Sequence, residues 1–250
     1  MWFFAICWAA AAADPFDAKF PAEAIRRVVL DVKMGNVVFV ADAEGHVWFR
    51  GTPESWPDSC VVSSVAEADT ARLTVTGGSP MAPCVASWEV HVAPEMALEV
   101  VLSGGNLTLP AMTGAVRVDI GAGDVRLADV GGPLTLQLNA GVVEGTFVGP
   151  NLDANIGSGG LHLTNLVAPV RTVLSVGDIS LDFLVAPAGD VAVRTGVGSV
   201  RVLLPKDSPV DVAVGGGLGK KRIEVPNTPG ARTRVRVETK VGSCSVAYKP

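Results

Sequence analysis

The sequence predicts an all-β chain: a single-domain β-solenoid, or β-helix, with coils of about 18 residues and irregular capping strands at both ends. Three observations lead there. A glycine recurs at Gly105, Gly123, Gly141, Gly159, Gly177 and Gly198, every 18 residues four times over and then after 21. Apolar and polar residues alternate on both sides of it, the period-two pattern of strands with one buried face. The composition, with 28 Gly, 17 Pro and only 18% charged residues in 250, suits many short strands and turns rather than long helices.

The apolar columns repeat with the glycine. Seven residues before it stand Leu98, Val116, Leu134, Leu152, Val170 and Val191; three before stand Leu102, Ile120, Leu138, Ile156, Leu174 and Thr195. Two after come Leu107, Val125, Val143, Leu161, Ile179 and Val200, and seven after come Met112, Val130, Val148, Leu166 and Leu184. Polar or small residues fill the intervening positions, among them Arg117, Asp119, Gln137, Asn155 and His162. Each repeat therefore reads as two short strands, and stacked coils would pair each strand with those above and below. The glycines are structural turn residues, free to take positive φ. The residues that follow them (Asn106, Asp124, Gly160, Asp178, Ser199) suit tight turns, Val142 being the exception. A run of β-hairpins folded into a sandwich is the alternative, but it does not require the buried columns to repeat every 18 residues.

Four segments follow. Residues 1–13, "MWFFAICWAAAAA", read as an export signal: an apolar core ending in Ala11-Ala12-Ala13, an A-x-A cleavage site before Asp14. The apolar run is too short to span a bilayer, which takes about 20 residues, so the mature chain has no expected transmembrane segment. Residues 14–94 read as an N-terminal β cap and first irregular coils, with strand-like "VVLDVKMGNVVFV", "GHVWFRG" and "ARLTVTG". Trp48, Trp56 and Trp88 lie here; covering an open end needs bulky residues, and a carbohydrate platform is the alternative role. Residues 95–205 carry the regular repeats, and residues 206–250 read as closing coils.

Cys60 and Cys84 lie in the irregular first third, and an exported chain would join them in a disulfide closing a loop of about 24 residues. Cys244, on an alternating strand, reads as a small buried hydrophobe.

The chemistry-bearing residues do not assemble into a site. Asp124 and Asp178 are three repeats apart and lack the nine-residue interval of calcium-binding solenoids, so they read as turn formers. His46, His91 and His162 share no ligand spacing and read as surface histidines. No nucleophile, phosphate-loop or metalloprotease signature appears, and no cofactor, metal or catalytic residue is expected. A net charge of −5 argues against a nucleic-acid binder; "GKKR", at 219–222, reads as a solvated turn. Phe147 and Phe183 share the column six after the glycine, where they would either lie under a corner or form a small exposed contact patch.

As a set, "DVKMGNVVFV", "WEVHVAPEMALEVVLSGGNLTL", "GAGDVRL", "VGDISL", "VRVLLPKDSPVDV" and "VETKVGSCSV" resemble the bacterial adhesin-like β-strand-repeat family, a domain of unknown function in cell-envelope proteins. The resemblance runs from about Val28 to Tyr248. It implies a β-helical solenoid outside the cytoplasm, in the periplasm or at the cell surface, and no catalytic residues. The expected function is a non-enzymatic, structural or adhesin-like interaction protein of the bacterial envelope, with an envelope protein or polysaccharide as partner. The alternatives are an envelope scaffold without a discrete ligand and a polysaccharide-active enzyme.

Overall fold

The computed structural model describes residues 5–8, 15–42 and 45–249. The cleavage site expected at Ala11-Ala12-Ala13 lies outside them; before it, Ala5–Trp8 is a strand, antiparallel to Val61–Glu67. The chain divides into two compact units, Met1–Arg126 and Leu127–Pro250.

The chain is all-β, but the expected solenoid is not what forms. Its parallel strands close into an eight-stranded barrel, with the remaining strands outside. The first unit shows how pairing turns back on itself. Arg27–Met34 pairs along Ala97–Gly104 and also meets Val85–Val92 at its end, Met34 opposite Val85. Val85–Val92 pairs along Val37–Ala41, which pairs with Leu107–Leu109. An 18-residue period states only that successive circuits pair in register. It is silent on whether the two ends of the pairing meet, which is what separates an open stack from a closed barrel.

Outside the parallel strands of this unit lie antiparallel ones. Phe16–Pro21 pairs with His46–Ser55, and His46–Ser55 with Val85–Val92; Val61–Glu67 forms a hairpin with Thr70–Thr76. Cys60 and Cys84 form the expected disulfide, with Cα atoms 5.8 Å apart. Each stands immediately before a strand, Val61–Glu67 and Val85–Val92, so the bond staples the starts of two strands that do not pair with each other.

In the second unit the repeated columns stack as parallel partners. Leu134 pairs with Leu152, Leu152 with Val170, and Val170 with Val191; Val143 pairs with Leu161, Leu161 with Ile179, and Ile179 with Val200. All eight are at most 1% exposed, each contributing about 1.5–3 kcal/mol of apolar burial. The middle circuits differ from the two-strand reading. Leu134–Phe147, Leu152–Leu166 and Val170–Phe183 each run as one strand through the glycine, which bends the chain without ending it.

The bend explains why no other residue stands there. Gly159 has φ +135° and Gly177 φ +136°. A Cβ on Gly177 would lie 1.6 Å from the Gly159 carbonyl oxygen, and one on Gly159 would lie 1.7 Å from that of Gly141. The column is a stack of backbones too close for side chains.

Seven after the glycine, the apolar column needs a correction. Val130 and Leu166 are fully buried, but Val148 and Leu184 are 37% and 53% exposed, their place in the core taken by Phe147 and Phe183. The reason is local. In the Gly123 and Gly159 circuits position six holds Asp129 and Asn165, both left-handed at φ 57° and 62°, which swings the next residue inward, whereas in the Gly105 circuit Met112 is buried behind Ala111. Where position six is Phe, the aromatic itself turns in, and Leu166 pairs with Phe183 across a register shift.

The end of the second unit is out of sequence order. Thr233–Val241 pairs with Val191–Val197 on one side and Val210–Leu218 on the other; Cys244–Tyr248 likewise lies between Val200–Leu204 and Lys221–Ile223. The last segment alternates cleanly, with Val235, Val237, Cys244 and Val246 at most 1% exposed, and it takes the position paired on both edges. The preceding segment contains Gly215, Gly216, Gly217 and Gly219, which have little to pack, and it is left outermost.

Candidate functional site

Period-two alternation builds one chemically distinct surface in the first unit. Along His46–Ser55, Val47, Phe49 and Gly51 point inward while Trp48 and Arg50 point outward. Phe16–Pro21 buries Phe16, Ala18 and Phe20 and exposes Asp17 and Lys19; Val85–Val92 buries Trp88 and Val90 and turns Glu89 and His91 out. Register then aligns two rows across the three strands. Lys19 is opposite Trp48 and Trp48 opposite His91; Asp17 is opposite Arg50 and Arg50 opposite Glu89.

Trp48 is the centre. The Lys19 Nζ lies 4.3 Å from its ring centroid and the Arg50 guanidinium 4.7 Å, both within cation–π range. The His91 ring is 4.8 Å away at 37°. The indole Nε1–H donates to Asp17 Oδ1 at 2.9 Å, which fixes the plane of the ring. Beneath the sheet Phe20 packs edge-on to Phe49 and Phe16 to Trp88, so the platform rests on a rigid aromatic floor.

The acids nearby are already engaged. His91 Nδ1 is 3.1 Å from Asp42 Oδ2 and its Nε2 is 2.7 Å from Glu89 Oε1. The two carboxylates lie against different ring nitrogens and do not converge; among the described residues no group of three or more His, Cys, Asp or Glu could hold a metal ion. Among the same residues Lys19 and Arg50 have no carboxylate within ion-pair distance, so their charges, spread over an indole, face solvent.

The residues singled out in the sequence fall elsewhere. Phe147 and Phe183 are fully buried and form no surface contact patch. Asp178 Oδ1 accepts the Ser199 N–H, and Asn106 Oδ1 accepts the Asp124 N–H, so the residue after the turn glycine caps the next circuit. His46 and His162 are exposed, His46 on the Trp48 strand with the same outward parity and His162 in the second unit. Of the tryptophans, Trp88 is buried, whereas Trp48 and Trp56 are half-buried. The signal that could have found the platform was the alternation in "HVWFRG": a large aromatic sharing its outward parity with Arg50.

Burial pushes the Cys244 thiol above its ordinary 9.0, with Lys221 opposing the shift. Among the described residues no helix is long and apolar enough to cross a membrane.

No protein-family model matches the chain, and no curated protein matches it. Solved structures do. A "putative cell adhesion protein" from Clostridium sporogenes is 15% identical over 94% of this chain and 100% of its own, with a TM-score of 0.28. A "putative adhesin" from Bacteroides fragilis is 12% identical over 93% and 97%, with a TM-score of 0.39. Another, from Parabacteroides distasonis, is 10% identical over 94% and 98%, with a TM-score of 0.33. The family drawn from the repeat motifs thus stands as a resemblance.

Proposed function

We propose that the chain is a non-enzymatic interaction protein acting outside the cytoplasm, which engages a protein or polysaccharide of the cell envelope through the Trp48 face. One observation carries the reading: an indole held in place by Asp17 and overlaid by two cations, Lys19 and Arg50, that have no carboxylate within ion-pair distance among the described residues. Trp and Arg are enriched among the few residues that dominate binding energy at protein contacts, and a fixed indole also presents an apolar face to the C–H groups of a sugar. The Cys60–Cys84 disulfide supports the compartment, because such bonds persist where the surroundings are oxidising.

The test is an array of envelope glycans and envelope proteins probed with the full chain and with Trp48→Ala. The substitution removes an outward side chain, so circular dichroism should be unchanged while binding to the captured ligand falls at least tenfold. A blank array for the unaltered chain, or equal binding by the variant, would refute the reading.

A further inference from the structure

A second surface, in the unit 127–250, is built from different residues and is argued independently of Trp48. Arg171, Ala192 and Arg236 stand on three successive parallel strands in one outward row, Arg171 opposite Ala192 and Ala192 opposite Arg236. The alanine leaves a gap between two long cations about 10 Å apart, two strand spacings. Arg236 has a second alanine, Ala213, on its far side. A cleft of about 340 Å³ opens here, lined by both arginines, Ala192, Val173, Asn151 and Asp190.

The neighbouring charges are spoken for. Arg194 Nε pairs with Glu238 Oε2 at 3.0 Å, and Arg234 Nε lies 3.8 Å from Asp211 Oδ2. Asp190 Oδ1 accepts the Arg234 N–H at 3.1 Å. Asp153 is the strand neighbour of Arg171, but among the described residues neither Arg171 nor Arg236 has an ion-pair partner. Two exposed guanidiniums across an empty alanine are suited to bridging external oxyanions, because each offers a planar fork of donors.

We propose that Arg171 and Arg236 form an anion subsite that binds carboxylates of an acidic polysaccharide across Ala192. The position of the row selects a glycan over an extended peptide. Val170–Phe183, Val191–Val197 and Thr233–Val241 are paired on both edges, so a peptide backbone laid across them meets no free N–H or C=O. A glycan needs only the arginine forks and the apolar floor of Ala192 and Val173, the latter 42% exposed.

Calorimetric titration of the full chain with oligogalacturonate tests this. Arg236→Gln should weaken binding at least tenfold, as should Ala192→Glu, which fills the gap with an internal carboxylate while leaving both arginines in place. Arg222→Gln, an equal loss of charge at a cation paired with Glu224, should leave affinity within twofold. Equal weakening by Arg222→Gln, tighter binding of polyglutamate than of oligogalacturonate, binding of neutral dextran, or no binding at all would each overturn the proposal.

Discussion

Asp178 Oδ1 accepts the backbone N–H of Ser199 at 2.7 Å, joining the bend of one circuit to the bend of the next. Asn106 and Asp124 repeat the arrangement at 3.0 Å. This accounts for the glycine–Asx pairing: the glycine permits the bend, and the Asx oxygen satisfies an N–H of the following circuit. Asp178→Ala should cost about 1 kcal/mol in urea unfolding, whereas Asp178→Asn, which keeps the acceptor, should cost less than half of that.

A Cβ at Gly159 has no room. Gly159→Ala would put carbon 1.7 Å from the Gly141 oxygen at φ +135°, and should cost more than about 3 kcal/mol or abolish folding. Gly230, with φ +80° and nothing within 4 Å of its Cβ position, is the control for backbone strain alone. Gly230→Ala should cost about 1 kcal/mol by the same measurement.

Removing the Cys60–Cys84 bond frees a loop spanning 24 positions. The double variant Cys60→Ala/Cys84→Ala should lose about 3 kcal/mol by denaturant titration. Native and reduced chains compared under the same denaturant series give the check.

Cys244 is 1% exposed, and burial raises its thiol. Below pH 9 the thiol is protonated folded and unfolded, and it contributes nothing to pH dependence. Above pH 9 the unfolded chain ionises first, so stability falls as pH rises toward the higher folded value. Cys244→Ala should flatten that alkaline decline in a Tm series from pH 8 to about pH 10.5. Iodoacetamide should label this thiol only in denaturant.

The outermost strand Val210–Leu218 is blunted on its free edge. Asn227 Oδ1 accepts the Val212 N–H at 2.7 Å, the Thr228 N–H reaches the Val210 carbonyl at 2.9 Å, and Lys221 Nζ reaches the Gly216 carbonyl at 3.0 Å. Open strand edges recruit other strands, so Asn227→Ala/Lys221→Ala should self-associate with rising concentration in sedimentation velocity while the parent chain does not.

Much of this was legible beforehand because it rests on local parity. The buried column Val143, Leu161, Ile179 and Val200 and the bend glycines follow from spacing along the chain, and the Cys60–Cys84 bond from the expectation of an exported chain. The exchange of Phe147 and Phe183 for Val148 and Leu184 goes with a Phe at position six, since Met112, behind Ala111, is buried without any Asx before it. The Trp48 platform was half legible. Parity placed Trp48 and Arg50 on one face, but their meeting with Lys19 and His91 depends on which strands lie beside them.

By itself, then, the sequence determined that the chain is all-β, where it bends, and which side chains are buried in most of the repeated columns, Val148 and Leu184 excepted, since each of those depends on residues a few positions apart. Only the tertiary structure decided that pairing closes into a barrel, that 233–248 slips inside 210–223, and that Arg171 faces Arg236 across Ala192. These depend on which strand edges find each other. An edge offers the same backbone donors and acceptors whatever its side chains, so the choice is made by the packing of the assembled sheet and leaves little trace in any one segment.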